Sequence, residues 1–476
     1  MTLTSPETSG PADGTAASPR VLIVGGGLAG MAAAVALESA GCAVTLLEAR
    51  RALGGRATSF EDPQTGEVLD NCQHVLLGCC TNLLDFYRRL GVDHRIRYER
   101  SVHFVNESGQ RFDLTGVRGL PAPLHLGPSM LRFGALTFGQ RMAVSRAMLA
   151  MMRLGKSGRL ALADVSFGQW LKEHNQPTEL IEAFYDPILI GSLNEDPRQA
   201  SATYAIQVFQ DALLAHSDGY TIGVPDCPLA ELYSKLPCQN VRLGTRVNEL
   251  KFDGNRVVGV ELAGGEMLTA DVVILATNFH AVMRWIPQEI ARNDSRFAGL
   301  DQIQTTPILG AHLWFDRPVM SENHLAFLKG PLQWLFKKDT EGKAVHGVIS
   351  AARAWLEIPR EEALKQFEQQ VRQTLAAARD AKLLRGVIVI EKRATFAPLP
   401  GVDRLRPPQA PPPGGIENLF LAGDYTLSGW PATMEGAVRS GYRAAEAVMR
   451  GAISPGGFLV PDLRRQWPAK LIGGRS

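Results

Sequence analysis

At 476 residues the chain is long enough to bury the cores of two or three domains, which excludes a single small module. Its 50 Lys and Arg against 48 Asp and Glu leave a formal charge of +2; that excludes the basic surface of a nucleic-acid binder and favours a small-molecule partner. Six cysteines (Cys42, Cys72, Cys79, Cys80, Cys227 and Cys238) show no C-x-x-C spacing, so neither a metal site nor a disulfide framework is expected.

Residues 1–19 are rich in Ser, Thr, Pro, Gly and Ala and carry acids where a secretory signal needs a basic start, which predicts a disordered tail and a cytoplasmic protein. Val21–Val24 is then an apolar β-forming run that meets glycines at 25, 26, 27 and 30 and continues as an alanine-rich helix. Gly25 allows a sharp turn, Gly27 removes a side chain where a pyrophosphate approaches, and Gly30 lets the helix lie close on the strand. The phosphate is expected on the N–H groups of Leu28 and Ala29 at the positive end of that helix. Glu48, at the end of the next apolar strand and followed by Ala49 and Arg50, is placed for ribose hydroxyls. Together these read as a dinucleotide site.

Gly54-Gly55-Arg56 follows as a second phosphate-contacting turn, whose arginine can reach pyrophosphate oxygens with a bidentate fork. Between Val68 and Phe86, Asp70, Asn71, Gln73 and His74 interrupt an apolar stretch, where polar groups must be paired or functional. With an acid, a histidine and two amides within five residues, a site role for Asp70 and His74 stands open beside that of hydrogen-bonded core residues. A helix from Asn82 is stopped by Gly91, and Val102–Leu114 reads as a hairpin. Met130–Leu160 then carries five methionines, six Arg and Lys and no acid. An apolar face beside an all-basic one suits a helix lying in a membrane interface or a lid over a greasy pocket. Phe184–Pro197, apolar with Tyr185, Asp186 and Asn194 embedded, is expected to line that pocket.

Three strands around Val241–Asn278 return the chain to a sheet, with Val247 approaching an adenine. A charged helix is expected from Arg360 to Lys382. Asn418–Gly441 is a buried strand, a loop and a helix start. There Gly423 permits close approach, Asp424 can accept from a ribityl hydroxyl, and the helix start over Thr433, Met434 and Ala437 offers N–H groups to a ring carbonyl. The tail from Gly451, ending with Arg464, Arg465, Trp467 and Lys470, reads as solvated, with a surface anchor as the alternative.

Taken together, these motifs resemble the FAD-binding amine oxidase and phytoene desaturase superfamily. Within it, D-N-C-Q-H-V-L-L-G-C-C-T-N-L-L-D-F-Y-R-R-L-G-V (Asp70–Val92) and A-G-D-Y-T-x-x-G-x-P-A-T-M-E-G-A-V-x-S-G (Ala422–Gly441) resemble the hydroxysqualene dehydroxylases, also called squalene-associated FAD-dependent desaturases. The resemblance implies an α/β fold. It consists of a Rossmann-like FAD-binding domain, discontinuous over 20–95, 225–285 and 385–450, with an inserted α+β substrate domain over 96–224 and 286–384 and a tail over 451–476. It implies FAD as cofactor, a long isoprenoid such as hydroxysqualene as substrate, and peripheral contact with the inner face of the cell membrane. A tunnel is expected from residues 120–155 and 180–195, and the resemblance, which places the segment around Asp70 and His74 close to the flavin, makes those two the candidate proton donors. Rival readings are a carotenoid-type desaturase or isomerase, an amine oxidase, and a non-catalytic isoprenoid carrier. Ala281–Gly310 lacks the lysine that amine oxidases place opposite the flavin. No second complete nucleotide motif offers a place for NAD(P)H, so the electron donor stays open.

Overall fold

The computed structural model describes residues 19–450 and 457–472. The tail expected over 1–19 therefore falls almost wholly outside the described residues. A five-stranded parallel sheet runs in the order Asn240–Arg242, Ala43–Leu47, Arg20–Val24, Val272–Leu275, Leu419–Leu421. Arg20–Val24 pairs on both edges, with Ala43–Leu47 and with Val272–Leu275, and Val21 to Val24 are buried, which is why its sequence is continuously apolar instead of alternating. The strands come from both ends of the chain and from its middle.

Two helices close one face of this sheet. Leu28–Ser39 is buried over its first ten residues because its alanines are wedged between the sheet and the helix Met434–Val448. Close approach is obligatory there: a Cβ on Gly30 would lie 1.9 Å from the Gly25 carbonyl oxygen, and one on Gly441 would lie 2.2 Å from that of Ala29. The second helix also organises the chain around it. Glu435, fully buried, accepts from the backbone N–H groups of Asn82 (3.1 Å) and Leu83 (2.7 Å) at the start of the helix Thr81–Arg89, and is neutralised by Arg439 Nε at 2.5 Å. A carboxylate at a helix N-terminus satisfies orphan donors and favours the helix dipole.

A mixed seven-stranded sheet forms the other body: Leu383–Phe396, Thr305–Phe315, Ala344–Ile349, Trp334–Lys337, His324–Phe327, Ser101–Val105 and Arg111–Thr115. The last two strands are the expected hairpin. Leu383–Phe396, grouped by sequence with the nucleotide-binding segments, instead pairs along Thr305–Phe315 from Phe396 to Leu383 and belongs to this second sheet. The helix expected to reach Lys382 ends at Thr374. A further antiparallel meander, Val247–Asp253, Arg256–Leu262 and Met267–Thr269, sits beside the parallel sheet.

The basic segment forms a helix over Phe138–Leu160. Thr137 and Gln140 close a reciprocal cap at its start, the Gln140 side chain accepting from Thr137 N (2.9 Å) and its backbone N–H donating to Thr137 Oγ1 (3.3 Å). It is broken at Gly155 (φ 62°), where the Gln210 carboxamide donates to the Met151 (2.6 Å) and Gly155 (3.3 Å) carbonyls that the break leaves free. This helix packs on the Ala202–Leu214 segment. Among the described residues no helix is long and apolar enough to cross a membrane.

Candidate active site

A cavity of about 1190 Å³ runs between the two sheets. One end is built almost entirely from backbone. Gly25 (φ 114°) turns the chain where any Cβ would strike the Ala276 carbonyl at 2.6 Å. Gly27, by contrast, has ordinary extended backbone, and the nearest atom to an added Cβ is the Gly55 Cα at 4.0 Å. Its missing side chain thus leaves open space beside the first turn of Leu28–Ser39, whose leading N–H groups lack intrahelical partners. Glu48 accepts from Gly26 N (2.7 Å) and Arg50 N (2.8 Å), which fixes its carboxylate at the strand end and holds the loop to the glycine turn.

The opposite strand end closes on the same space. Gly423 (φ 147°) leads into Asp424, and Arg56 spans the two halves of the chain with Nη2 2.5 Å from Asp424 Oδ1 and Nη1 2.6 Å from the Ala394 carbonyl. Thr433 caps the helix Met434–Val448, its hydroxyl accepting from Gly436 N at 3.1 Å. Gly25, Gly27, Leu28, Ala29, Glu48, Ala49, Arg50, Gly55, Arg56, Val247, Gly423, Asp424, Thr433, Met434 and Ala437 all line the cavity. Gly30 lies behind the turn and serves the helix–strand contact. Open space beside Gly27, the close approach of Gly55 to it, two helix starts, and acids at two strand ends fit an extended dinucleotide carrying a ring system.

Asp70 and His74, four residues apart, part company. The Asp70 side chain points away from the cavity. It accepts from Ser59 Oγ (2.8 Å) and Leu229 N (3.0 Å) and pairs with Lys338 Nζ at 3.0 Å. Burial works to raise its pKa, but Lys338 and these hydrogen bonds outweigh that and hold the carboxyl below the usual carboxylate range. His74 does line the cavity. Its Nδ1 lies 2.9 Å from the Cys72 carbonyl oxygen, so Nδ1 carries the hydrogen and Nε2 keeps a lone pair. Burial lowers its pKa against the opposing pull of that hydrogen bond, so the ring rests neutral at pH 7.

A pair of histidine rings is buried in the seven-stranded sheet. His312 Nε2 donates to the Asp70 carbonyl at 3.1 Å, and its ring centroid lies 3.9 Å from that of His346. Burial brings the His312 pKa down to about 4.

Away from the glycines, Val75, Ile188, Ile308, Trp334, Phe336 and Val348 give the cavity an apolar wall, with Glu391 as the strand neighbour of Ile308. Of the stretch 180–195 expected to line a tunnel, Ile188, Gly191, Ser192 and Asn194 do so, whereas Tyr185 donates to Gln176 (3.0 Å) and Asp186 pairs with Arg198 (3.2 Å). Residues 120–155 contribute nothing to the wall. They lie outside the Ala202–Leu214 segment, which supplies Gln207, Val208, Asp211 and Ala212 to the wall. Asp211 was missed from sequence. Burial raises its carboxyl pKa against the opposing pull of Arg159, 3.7 Å away, and only its position in the cavity distinguishes it from any other helical aspartate.

The family model for flavin containing amine oxidoreductases matches residues 28–449. The chain belongs to that family. This flavin oxidoreductase is 30% identical over 450 residues to the hydroxysqualene dehydroxylase of Rhodopseudomonas palustris, spanning 91% of this chain and 99% of that one. It is 28% identical to the 15-cis-phytoene desaturase of an Oncidium hybrid, spanning 90% and 78%. A solved structure of putrescine oxidase superposes with a TM-score of 0.67 at 19% identity, covering 91% of this chain and 99% of that one. The enzyme is therefore an FAD-dependent oxidoreductase of the amine oxidase and phytoene desaturase superfamily, with the expected α/β fold.

Proposed function

We propose that the enzyme removes the hydroxyl of hydroxysqualene to give squalene, as in hopanoid precursor synthesis. The observation that carries this reading is the apolar wall of Val75, Ile188, Ile308, Trp334, Phe336 and Val348 directly beyond the glycine-lined end. Such a wall stabilises a long hydrocarbon by about 25 cal/mol per Å² of apolar surface buried, and gives little to a small polar substrate. The hydroxysqualene dehydroxylases among the relatives, matched over nearly their whole length, support the same reading.

The reaction breaks one C–O bond and forms one C–H bond: the hydroxyl takes a proton and leaves as water, and the carbon accepts a hydride. Reduced FAD supplies that hydride when bound. Leu28, Ala29 and Gly27 would hold the pyrophosphate, Glu48, Ala49, Arg50 and Val247 the adenosine, Gly55, Arg56 and Asp424 the ribityl phosphate, and Thr433, Met434 and Ala437 the ring. The proton falls to His74 rather than Asp70. The Asp70 carboxylate is tied to Lys338 away from the cavity, whereas His74 presents Nε2 to it and in its imidazolium form donates to the leaving oxygen. The same reading includes peripheral contact with the inner face of the cell membrane, where a bilayer-dissolved substrate would be met.

One specific observation favours a second reading, a carotenoid-type desaturase that removes hydrogen: the plant phytoene desaturases match at nearly the same identity. Anaerobic mixing of photoreduced holoenzyme with hydroxysqualene separates the two. The proposal expects flavin reoxidation and an equivalent of squalene. No reoxidation, together with reduction of the oxidised enzyme by phytoene, would establish the desaturase instead.

A further inference from the structure

The C-terminal segment carries an amphipathic arrangement turned inside out. In the short helix Trp467–Ile472 the small residues Pro468 and Ala469 are buried against the protein, while Trp467 (63% exposed) and Leu471 (78%) stand in solvent beside Lys470. A helix folded only for its own stability buries its large apolar residues and exposes the small or polar ones. Nor is this a fraying end. Gln466, immediately before it, donates from N to the Ala215 carbonyl (2.9 Å) and from Nε2 to Ser217 Oγ (3.1 Å), while its Oε1 accepts from Ser217 N (3.2 Å) and from Ala122 N.

Those bonds seat the helix beside the segment that leads into Phe138–Leu160, and the two helices touch. That segment has the same inverted character: Leu124, Leu131 (67%), Phe138 (69%) and Met142 are exposed. The charge on both pieces has one sign. Val117–Leu160 carries seven Arg and Lys and no Asp or Glu, and Leu463–Ile472 adds Arg464, Arg465 and Lys470, again without an acid. Exposed large apolar side chains on two acid-free basic segments match an anionic lipid surface, where the apolar groups enter the acyl boundary and the cations meet phosphates; the flanking acids Asp113, Asp218 and Asp462 are paired in turn with His103, Arg100 and Arg439. A second copy of the same face would set like charges against one another.

We infer that the Trp467–Ile472 helix and the Leu120–Met142 segment, held together by Gln466, form one docking face for an anionic bilayer, with the C-terminal helix as its second anchor. This extends the proposed function, from which it takes only the premise that the substrate resides in a membrane. The geometry gives the C-terminal segment, which the sequence alone leaves open between a surface anchor and a solvated tail, half of the contact.

The test is co-sedimentation of full-length holoenzyme with phosphatidylglycerol vesicles and with phosphatidylcholine vesicles. The inference expects partition onto the anionic vesicles that weakens steeply with added salt, and much less onto neutral ones. L131S/F138S and W467S/L471S should each lower that partition at least tenfold while keeping the flavin. With hydroxysqualene supplied in vesicles both variants should show raised KM, and with substrate in detergent an unchanged kcat. A W467S/L471S variant that sediments like wild type overturns the C-terminal anchor. So does a wild type that ignores both vesicles, or one that is a dimer split by these substitutions. Because sedimentation needs no substrate, an enzyme that binds vesicles but does not form squalene refutes the reaction alone.

Discussion

The two ends of the cavity are made from different material. The end proposed to hold the cofactor is built from backbone and short motifs: a turn that only glycine can make at 25, open space at Gly27, helix starts at Leu28 and Thr433, and acids ending strands at Glu48 and Asp424. The substrate end is built from side chains that arrive singly from strands and helices far apart in the chain, such as Val75, Ile188, Trp334 and Val348. Backbone sites hold a fixed chemical group in one geometry. Walls of side chains adapt to a long molecule and set its identity. On the proposed reading, family membership resides at the first end and substrate choice at the second.

That contrast can be broken most strongly at Gly27. Its extended backbone admits any residue and its Cβ direction is empty of protein, so Gly27→Glu should fold while placing a carboxylate against the pyrophosphate position. The expected result is a colourless protein with FAD affinity lowered roughly 100-fold and an unaltered circular dichroism spectrum. Retained flavin absorbance would show that the dinucleotide lies elsewhere.

His74→Ala comes next. It should lower single-turnover dehydroxylation about 100-fold, the ordinary yield of a positioned acid, with flavin content intact. Because burial lowers the folded pKa, the proton-bearing form grows only as pH falls below the usual histidine value of about 6.5. Wild-type turnover should therefore climb as pH drops from 8 to 6, and the variant's should be flat. At the apolar wall, Trp334→Ala should raise KM for the isoprenoid roughly thirtyfold and leave flavin binding untouched, since about 2 kcal/mol of aromatic burial is removed from the apolar wall alone.

The smallest effect belongs to the Asp70–Lys338 pair. Asp70 has a folded pKa below its unfolded value, so the pair stabilises the fold above that unfolded value, about 3.9, and the contribution is lost as pH falls through the folded pKa. Lys338→Met should cost about 1 to 2 kcal/mol at neutral pH and move acid unfolding to higher pH, measured by denaturant melts at pH 7 and pH 4. An unchanged melt at pH 7 would mean the ion pair contributes nothing.

What could be read from sequence follows the same division. Gly25, Gly27, Glu48, Gly423 and Asp424 sit in local patterns whose spacing is dictated by a strand, a turn and a helix, and the cavity gathers all five. Asp70 and His74 looked equivalent because both interrupt an apolar run. The difference between them is a lysine 268 residues away, which no local pattern announces. Asp211 and Trp334 were likewise invisible, since a helical aspartate and a strand tryptophan acquire meaning only from what faces them. The tunnel expected from 120–155 shows the converse failure. Met151 and Met152 are buried, as a greasy lining would be, but against the Ala202–Leu214 segment instead of the cavity. The inverted exposure of Trp467 and Leu471 likewise emerges only once Pro468 and Ala469 are seen to take the buried side.

The most direct measurement follows the transferred hydrogen. Holoenzyme photoreduced in D2O and mixed anaerobically with hydroxysqualene should yield squalene one mass unit heavier, with the deuterium at the former carbinol carbon. Squalene without deuterium at that carbon, or recovery of hydroxysqualene unchanged with the flavin still reduced, would contradict the account.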